Sequence, residues 1–494
     1  MFHIFPKHVL PFVVLLIASA TLSEEVCKGD TEPNHIILFF VDDFGQQDLS
    51  CYGSRLYETP YMDQLAAEGM KFTNAYAAYS RCVPSRQGLL SGKYPCRIEN
   101  ESIRSGDHKH HLPLTEVTFG EAFRDSGYRT CYIGKWHLGK DGGGPGDQGF
   151  ETIVHSGSAG ATGNFFYPFG TEKGLTVQNP VDGMEGDYLT DRLTDKAVEY
   201  ISANKDQQFL MVLAHYAVHT PIQAPEEITK KYQRKLRQAG IEVGGKKDDA
   251  DFVRDRQGMT KTVQNNPTYA AMVEKTDRSL GRIMQALQDS GISKNTAIIL
   301  TSDHGGLSTR GLTKKRAIAT SNLPLRQGKG SIFEGGTRVP LIVKWPGRIE
   351  AGSTSISQVM GTDHYPTMLD IANLPPRPQQ HVDGRSYLKA LEGKTYQRDA
   401  MFWYKWQARP DSTGDTRALS MIEGRYKIVQ WIDEDLVELF DLTSDVGEQT
   451  NLASQMPELA NAMLTRLLAT ENDIGNLRAK GLKERKRRLK KSKN

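Results

Sequence analysis

The sequence predicts an α/β protein: a large, mostly parallel sheet flanked by helices, followed by a small C-terminal antiparallel sheet with a helix. Three observations predict it. Short, wholly apolar runs such as HIILFFV (35–41) and TAIILTS (296–302) recur along the chain, and strands apolar on both faces belong in a sheet covered on both sides. Stretches with helical spacing separate these runs. After about residue 390 the pattern changes to short β-like segments joined by turns. The chain has 494 residues, long enough for a large domain and a smaller one.

HIILFFV is the first strand. Thr59-Pro60 opens a helix carrying Met62, Leu65, Ala66 and Met70, with Gly69 near its end. Val117 to Ser126 has helical spacing through Phe119, Ala122 and Phe123, and Gly127 stops it. TCYI (130–133) is the next strand. Leu189, Leu193, Ala197 and Ile201 line a helix that precedes the strand FLMVLAHY (209–216). Met272, Val273, Thr276, Leu280, Ile283 and Leu287 form the clearest helical stripe, ended by Gly291 and followed by TAIILTS. RVPLIVKW (338–345) is one more strand. MFWYKW, ALSMIEGRYKIVQWI and LVELFDL supply the small sheet, and PELANAMLTRLLATE a closing helix. The stretches 239–258 and 307–328 are polar and rich in Gly or Lys, and are expected to be surface loops.

The termini carry separate signals. Lys7, an apolar run from Val9 to Ile17 and Ala18-Ser19-Ala20 make residues 1–20 a cleavable export signal, with an uncleaved anchor as the alternative. The protein is expected to be exported, periplasmic or secreted. Glu24, Glu25 and Val26 before Cys27 argue against a lipoprotein acylation site. The single sequon, Asn100-Glu-Ser, leans toward a bacterial periplasm. No later apolar run is long enough to span a bilayer. The net charge of +3 hides a tail, 478–494, with ten Lys/Arg against one Glu, so the body is acidic. That tail is expected to be disordered. It either contacts polyanions or is solvated with no specific partner, and no specific nucleic acid is expected. Five cysteines (Cys27, Cys51, Cys82, Cys96, Cys131) leave at least one unpaired, or some reduced.

In an open parallel sheet, ligands bind beyond the C-terminal strand ends. Polar sets collect at four such ends: Asp42-Asp43, Lys135 with His137, His215 with His219, and Asp303-His304. Each alone has a bland reading as a helix cap or a satisfied structural histidine. Four at one edge do not. Asp42, Asp43 and Asp303 are hard oxygen donors suited to Ca²⁺ or Mg²⁺. A thiolate at Cys82 would be a poor companion ligand, because sulfur prefers softer metals. Either Cys82 lies elsewhere or it no longer presents sulfur.

The run Cys82-Val-Pro84-Ser85-Arg86-Gln-Gly-Leu-Leu90-Ser91-Gly92 resembles the signature of the type I, formylglycine-dependent sulfatases, in the alkaline-phosphatase-like superfamily. Ser91 stands where that signature has Thr, and the hydroxyl is kept. The resemblance covers most of residues 34–390. It includes Asp42-Asp43, Gly134-Lys135-Trp136-His137-Leu138-Gly139, His219-Thr-Pro221, Ser302-Asp303-His304-Gly305, and Gly328-Lys329-Gly330 before Phe-Glu-Gly-Gly-Thr-Arg, in the family's order. His304 departs from the Asn common at its position. The implied organisation is a catalytic domain over 34–390 and a C-terminal α+β subdomain over 391–475.

The resemblance implies that Cys82 is oxidised to Cα-formylglycine by a formylglycine-generating maturation enzyme, and that its hydrate is an oxygen ligand and nucleophile. Asp42, Asp43, Cys82, Asp303 and His304 then become the metal set, for Ca²⁺ with Mg²⁺ as the alternative. Cys82, Arg86, Lys135, His137, His219 and Lys329 become the catalytic set. Cys82 and Arg86 share a face if a helix begins at Pro84, and a helix N-terminus offers N–H groups to an anion. Lys135, Lys329 and His219 would neutralise sulfate and the leaving alkoxide. Asp303 would help deprotonate the attacking hydroxyl, His219 or Lys329 would protonate the leaving alcohol, and His137 would deprotonate the second hydroxyl to expel sulfate.

The expected substrate is a sulfated carbohydrate or aryl sulfate. The regions 220–268 and 307–328 are expected to set specificity. The alternatives are a phosphonate monoester or phosphodiester hydrolase on the same scaffold, a non-catalytic binder of sulfated glycans, and a plain disulfide at Cys82.

Overall fold

The computed structural model describes Met1 and residues 35–98, 112–139, 143–171, 175–244, 250–313 and 317–475. The export signal over 1–20, Cys27, the Asn100 sequon and the tail 478–494 lie outside the described residues. From Glu32 onward the chain forms one compact unit. Among the described residues, no helix is long and apolar enough to cross a membrane.

An eight-stranded sheet organises the fold. Its order across the sheet is Ser353–Ser355, Met70–Phe72, Leu341–Lys344, Thr296–Ser302, His35–Val41, Phe209–Ala214, Arg129–Gly134, Thr152–Val154. Leu341–Lys344 pairs antiparallel with both neighbours, and every other pairing is parallel. The expected mostly parallel α/β sheet is present. The apolar strands are explained by the two cores. Ile37, Phe39 and Val41 face one, with the helices Leu189–Asn204 and Pro267–Asp289. Ile36, Leu38 and Phe40 face the other, with Cys82–Ser91, Phe119–Asp125 and His364–Ile371. Residues of alternate sign on a strand point to opposite faces, so both must be apolar here.

Three local expectations need correction. Met70 opens a strand instead of closing the helix Pro60–Glu68. A side chain at Gly69 would overlap the Val343 carbonyl, so the chain turns there into the sheet. The strand expected over 338–345 is confined to Leu341–Lys344, because Pro340 has no N–H to donate. The stretches 239–258 and 307–328 are not simply surface loops. Phe252–Asp255, Gly258–Lys261 and Thr309–Gly311 form a three-stranded antiparallel sheet. Within the second stretch, Thr320, Ser321 and Asn322 are buried. Asn322 Nδ2 donates to the carbonyls of Gly306, Gln327 and Gly335. Polar composition misled because these side chains satisfy buried backbone rather than water.

The C-terminal sheet runs Met401–Lys405, Ala418–Glu423, Tyr426–Trp431, Leu436–Asp441, all antiparallel. The helix Pro457–Ile474 joins its core through Ala460, Met463 and Leu467. That core also takes in Tyr76, Ile332 and Phe333 from the large sheet's loops. A buried ion cluster reinforces the junction: Lys427 Nζ lies 2.9 Å from Glu334 and 2.8 Å from Glu448.

Candidate active site

Cys82 begins the helix Cys82–Ser91, two residues earlier than the expected start at Pro84, and all ten residues of that helix are buried. Ser91 Oγ donates to the Gln87 carbonyl at 2.7 Å and accepts the Lys93 N–H. This is the use made of the hydroxyl that replaces the family's threonine. Gly92 then turns with φ +69°, and a side chain there would strike His381. Among the described residues Cys82 forms no disulfide, nor do Cys51 and Cys131, which speaks against the disulfide alternative for Cys82.

The strand ends deliver the rest. Asp42 and Asp43 follow His35–Val41, and Asp303 and His304 follow the adjacent Thr296–Ser302. Ligand atoms of Asp42, Asp43, Cys82 and His304 all lie within 4.8 Å of one another. Cys82 Sγ is 3.2 Å from His304 Nε2, 3.5 Å from Lys329 Nζ and 4.0 Å from Asp43 Oδ1. Asp303 sits beside the group: its Oδ1 accepts the Asp43 N–H at 3.1 Å and lies 3.6 Å from His304 Nε2.

Arg86 ties these pieces together. Its Nε donates to Asp303 at 3.2 Å, its Nη2 to Asp42 at 3.1 Å and its Nη1 to the Lys135 carbonyl at 2.8 Å. A planar fork is suited to holding two carboxylates at a fixed separation. Lys135 Nζ donates to Asp42 at 2.5 Å, and Lys329 Nζ to Asp43 at 2.6 Å. His219 Nδ1 meets the Thr220 carbonyl at 2.7 Å, which leaves Nε2 facing Asp43 Oδ2 at 3.8 Å. His137 is half-buried and packs against Gly160, whose missing side chain makes room for the ring. His215 does not join them. It is buried with Nε2 2.9 Å from Ser279 Oγ, on the core side of the sheet.

Electrostatics follow from this crowding. Burial opposes ionisation of the Cys82 thiol, but Lys135 and Lys329 outweigh it and bring its pKa well below the ordinary value. Burial alone would lower His304, yet Asp303, Cys82 and Asp43 raise it to about 9. Burial pushes His137 down to about 4. Several acids converge on one buried point, and Asp43 Oδ2 is buried with no hydrogen-bond partner among the described residues. A carboxylate-rich donor set of this kind fits a hard divalent cation. The sulfur of Cys82 is its one ill-matched member, and oxidation to an oxygen donor would remove the mismatch.

Beside these groups lies a cavity of about 330 Å³ lined by Cys82, His137, His219 and Lys329. All four were anticipated from sequence. Tyr79, Arg81, Gln407 and Arg409 line it too and were not. Arg81 stood next to Cys82, but nothing in the motif assigned it a task. Gln407 and Arg409 follow the first strand of the C-terminal sheet, and only tertiary docking brings them to Cys82.

Known proteins resemble this chain along most of its length. The Sulfatase family model matches residues 34–374, and the model for the N-sulphoglucosamine sulphohydrolase C-terminal region matches 328–473. A curated relative named sulfatase, from Formosa agariphila, is 30% identical, covering 90% of this chain and 88% of its own. An N-acetylgalactosamine-6-O-sulfatase from Bacteroides thetaiotaomicron is 26% identical, covering 92% and 96%. Among solved structures, Ps i-CgsB in complex with k-i-k-neocarrahexaose superposes with a TM-score of 0.72 at 26% identity, over 89% of this chain and 92% of that one. The resemblance read from Cys82–Gly92 and its companion motifs is borne out, and the chain belongs to the sulfatase family of sulfuric ester hydrolases.

Proposed function

We propose that the protein hydrolyses a sulfate monoester on a sulfated carbohydrate, with Cys82 oxidised to Cα-formylglycine and Ca²⁺, or Mg²⁺ in its place, held by Asp42, Asp43, Asp303 and His304. The observation that carries this reading is the position of Cys82. It lines the cavity with Lys329, His137 and His219 while standing within 4.8 Å of two acids and His304. A carbohydrate substrate is supported by the relative named N-acetylgalactosamine-6-O-sulfatase and by the neighbour solved in complex with k-i-k-neocarrahexaose. A formylglycine-generating maturation enzyme is the partner this reading requires.

The ion would supply Lewis-acid polarisation, and the hydrated aldehyde an oxygen nucleophile. The chain's own residues do the rest. Arg86 fixes Asp42 and Asp303, so neither acid has to reorient during reaction. Lys329, 3.5 Å from Sγ, presents a cation to the charge on the sulfate oxygens. Lys135 is fully buried, and its Nζ donates to Asp42 and keeps that carboxyl aimed. The Thr220 carbonyl accepts from Nδ1 of His219, so Nε2 can give a proton to the leaving alcohol only from the imidazolium, a form that burial opposes and Asp43, 3.8 Å away, favours. His137 is held neutral by burial and can accept a proton. Removing one preorganised donor of this kind costs about 3 kcal/mol of barrier, roughly a hundredfold in rate.

Mass spectrometry of the peptide spanning Cys82, with sulfate release from aryl sulfate and sulfated oligosaccharides, tests the proposal. The expected result is an aldehyde at residue 82 and an activity lost on chelation and restored by Ca²⁺. An intact thiol in an active preparation overturns it, as does cleavage untouched by chelation or faster turnover of an aryl phosphodiester. Export is inferred from the leader pattern in residues 1–20, and N-terminal sequencing of the native protein checks it. A mature chain that still begins at Met1 refutes a cleaved signal.

A further inference from the structure

The cavity is lined by two arginines outside the catalytic set, Arg81 and Arg409. Arg81 is 6% exposed and lines the cavity directly beside Cys82. Its Nη2 donates to Thr413 at 2.6 Å and to Asp415 at 2.7 Å. Its Nε is buried with no hydrogen-bond partner among the described residues. A buried guanidinium N–H left unmatched in a cavity wall asks for an acceptor. The same carboxylate, Asp415, also takes Lys405 Nζ and the backbone N–H of Arg409 at 3.3 Å. Arg409 is half-buried and lines the cavity with Gln407, whose carbonyl accepts from Lys405 at 2.8 Å.

Two cationic side chains, Arg81 and Lys405, thus share one acid, and Arg409 is tied to the same acid through its backbone N–H. Burial, then repulsion from Arg81, pushes the Arg409 guanidinium down to about 10. A cationic wall under such strain gains from any anion placed against it. A side chain at Gly330, next to Lys329, would overlap Arg81, Thr413 and Asp415, so the Gly330 backbone packs directly against this wall.

We propose that the substrate carries a second anionic group, a sulfate ester or a carboxylate close to the scissile sulfate, which seats against Arg81 and Arg409. This rests on the sulfatase reading above and narrows it. The scissile sulfate goes to Cys82 and Lys329, and the second anion to the arginine wall. A saccharide with one sulfate and no other charge leaves the buried Nε of Arg81 unmatched.

The test compares kcat/KM on matched oligosaccharides: one sulfate and no other charge, two neighbouring sulfates, and one sulfate beside a uronate. Aryl sulfate serves as the reference. Wild type is expected to favour at least one dianionic form roughly ten- to hundredfold, the worth of a charge-assisted hydrogen-bond pair. The preferred arm tells sulfate from carboxylate. Arg409→Gln should lose that much more on the dianionic saccharide than on aryl sulfate, and Arg409→Lys should recover part of it. Equal losses on both, or no preference in wild type, overturns the proposal while leaving the sulfatase reading standing. No turnover of any sulfate ester by formylglycine-bearing enzyme overturns both.

Discussion

Lys427→Met tests the idea that a buried ion cluster holds the catalytic loop from behind. Lys427, Glu334 and Glu448 all have fully buried side chains, with the ammonium 2.9 and 2.8 Å from the two acids. Methionine keeps most of the volume and removes the charge. Glu334 retains Arg338 at 3.3 Å and the Tyr76 hydroxyl at 3.0 Å, but Glu448 loses its cation. Breaking a buried pair from one side costs about 3–5 kcal/mol. A pH signature separates this from simple loss of packing. Even with Lys427 present, burial raises Glu448 to about 7 from 4.5. A carboxyl whose folded value is raised binds a proton that the unfolded chain releases, so stability falls as pH rises between the two values. In wild type that window closes near pH 7. In the variant it should extend higher, with stability still falling by about 1.4 kcal/mol per pH unit above neutrality. Urea unfolding followed by circular dichroism at pH 5, 7 and 8 measures it. Adding Glu448→Gln should restore stability at pH 8. A loss below ~1 kcal/mol that is flat with pH, against the 3–5 expected, would refute the reasoning, as would a double variant no better than the single one. Activity should fall too, since the Gly336 carbonyl in the Glu334–Thr337 helix accepts the N–H of Gly305, next to His304.

Three further outcomes are expected. Cys82→Ser should lose steady-state turnover or accumulate a sulfated enzyme, read by intact mass, because serine offers one hydroxyl where the proposed chemistry needs two; full steady-state activity would defeat the proposal. His215 is held neutral, its pKa lowered to about 3 by burial, while the unfolded chain protonates near 6.5. Stability should therefore drop as pH falls from about 6.5 toward 3, by up to about 1.4 kcal/mol per unit from this residue, and His215→Asn should flatten that part of a melting-temperature series. Gly160→Ala would drive a methyl group into the His137 ring. It should cut kcat roughly tenfold or more with the fold intact by circular dichroism, because small displacements of a reacting group are costly.

The chemistry was more legible in the sequence than the surroundings of the chemistry. Asp42-Asp43 and Asp303-His304 could be placed together because parallel neighbouring strands must end at the same edge, and wholly apolar runs announce such strands. The Cys82–Arg86 spacing likewise forecast a shared helix face, which Arg86 uses to reach both Asp42 and Asp303. His215 had the same credentials as His219, at the end of the same strand, yet it turns toward Ser279 in the core. The strand ends at Ala214 and the chain turns between the two histidines, and the exact end of the strand is what a composition reading blurs. Residues 307–328 looked like solvent-facing loop because Thr320 and Asn322 are polar. Their partners, Asp48 and the carbonyls of Gly306 and Gly335, are remote in sequence or hidden in the backbone. Arg409 was unreadable for the same reason. Its meaning depends on a sheet that docks more than three hundred residues after Cys82.

That docking separates two kinds of inheritance. The reagents are carried at one rim of the large sheet, whereas Gln407 and Arg409 lie on the connection between the first two strands of the C-terminal sheet. Descendants of this chain can therefore exchange what they accept by rewriting the connection between Lys405 and Ala418, with every group that touches sulfur left in place. Diversification has a cheap address in this architecture, and it lies outside the signature by which the family is recognised.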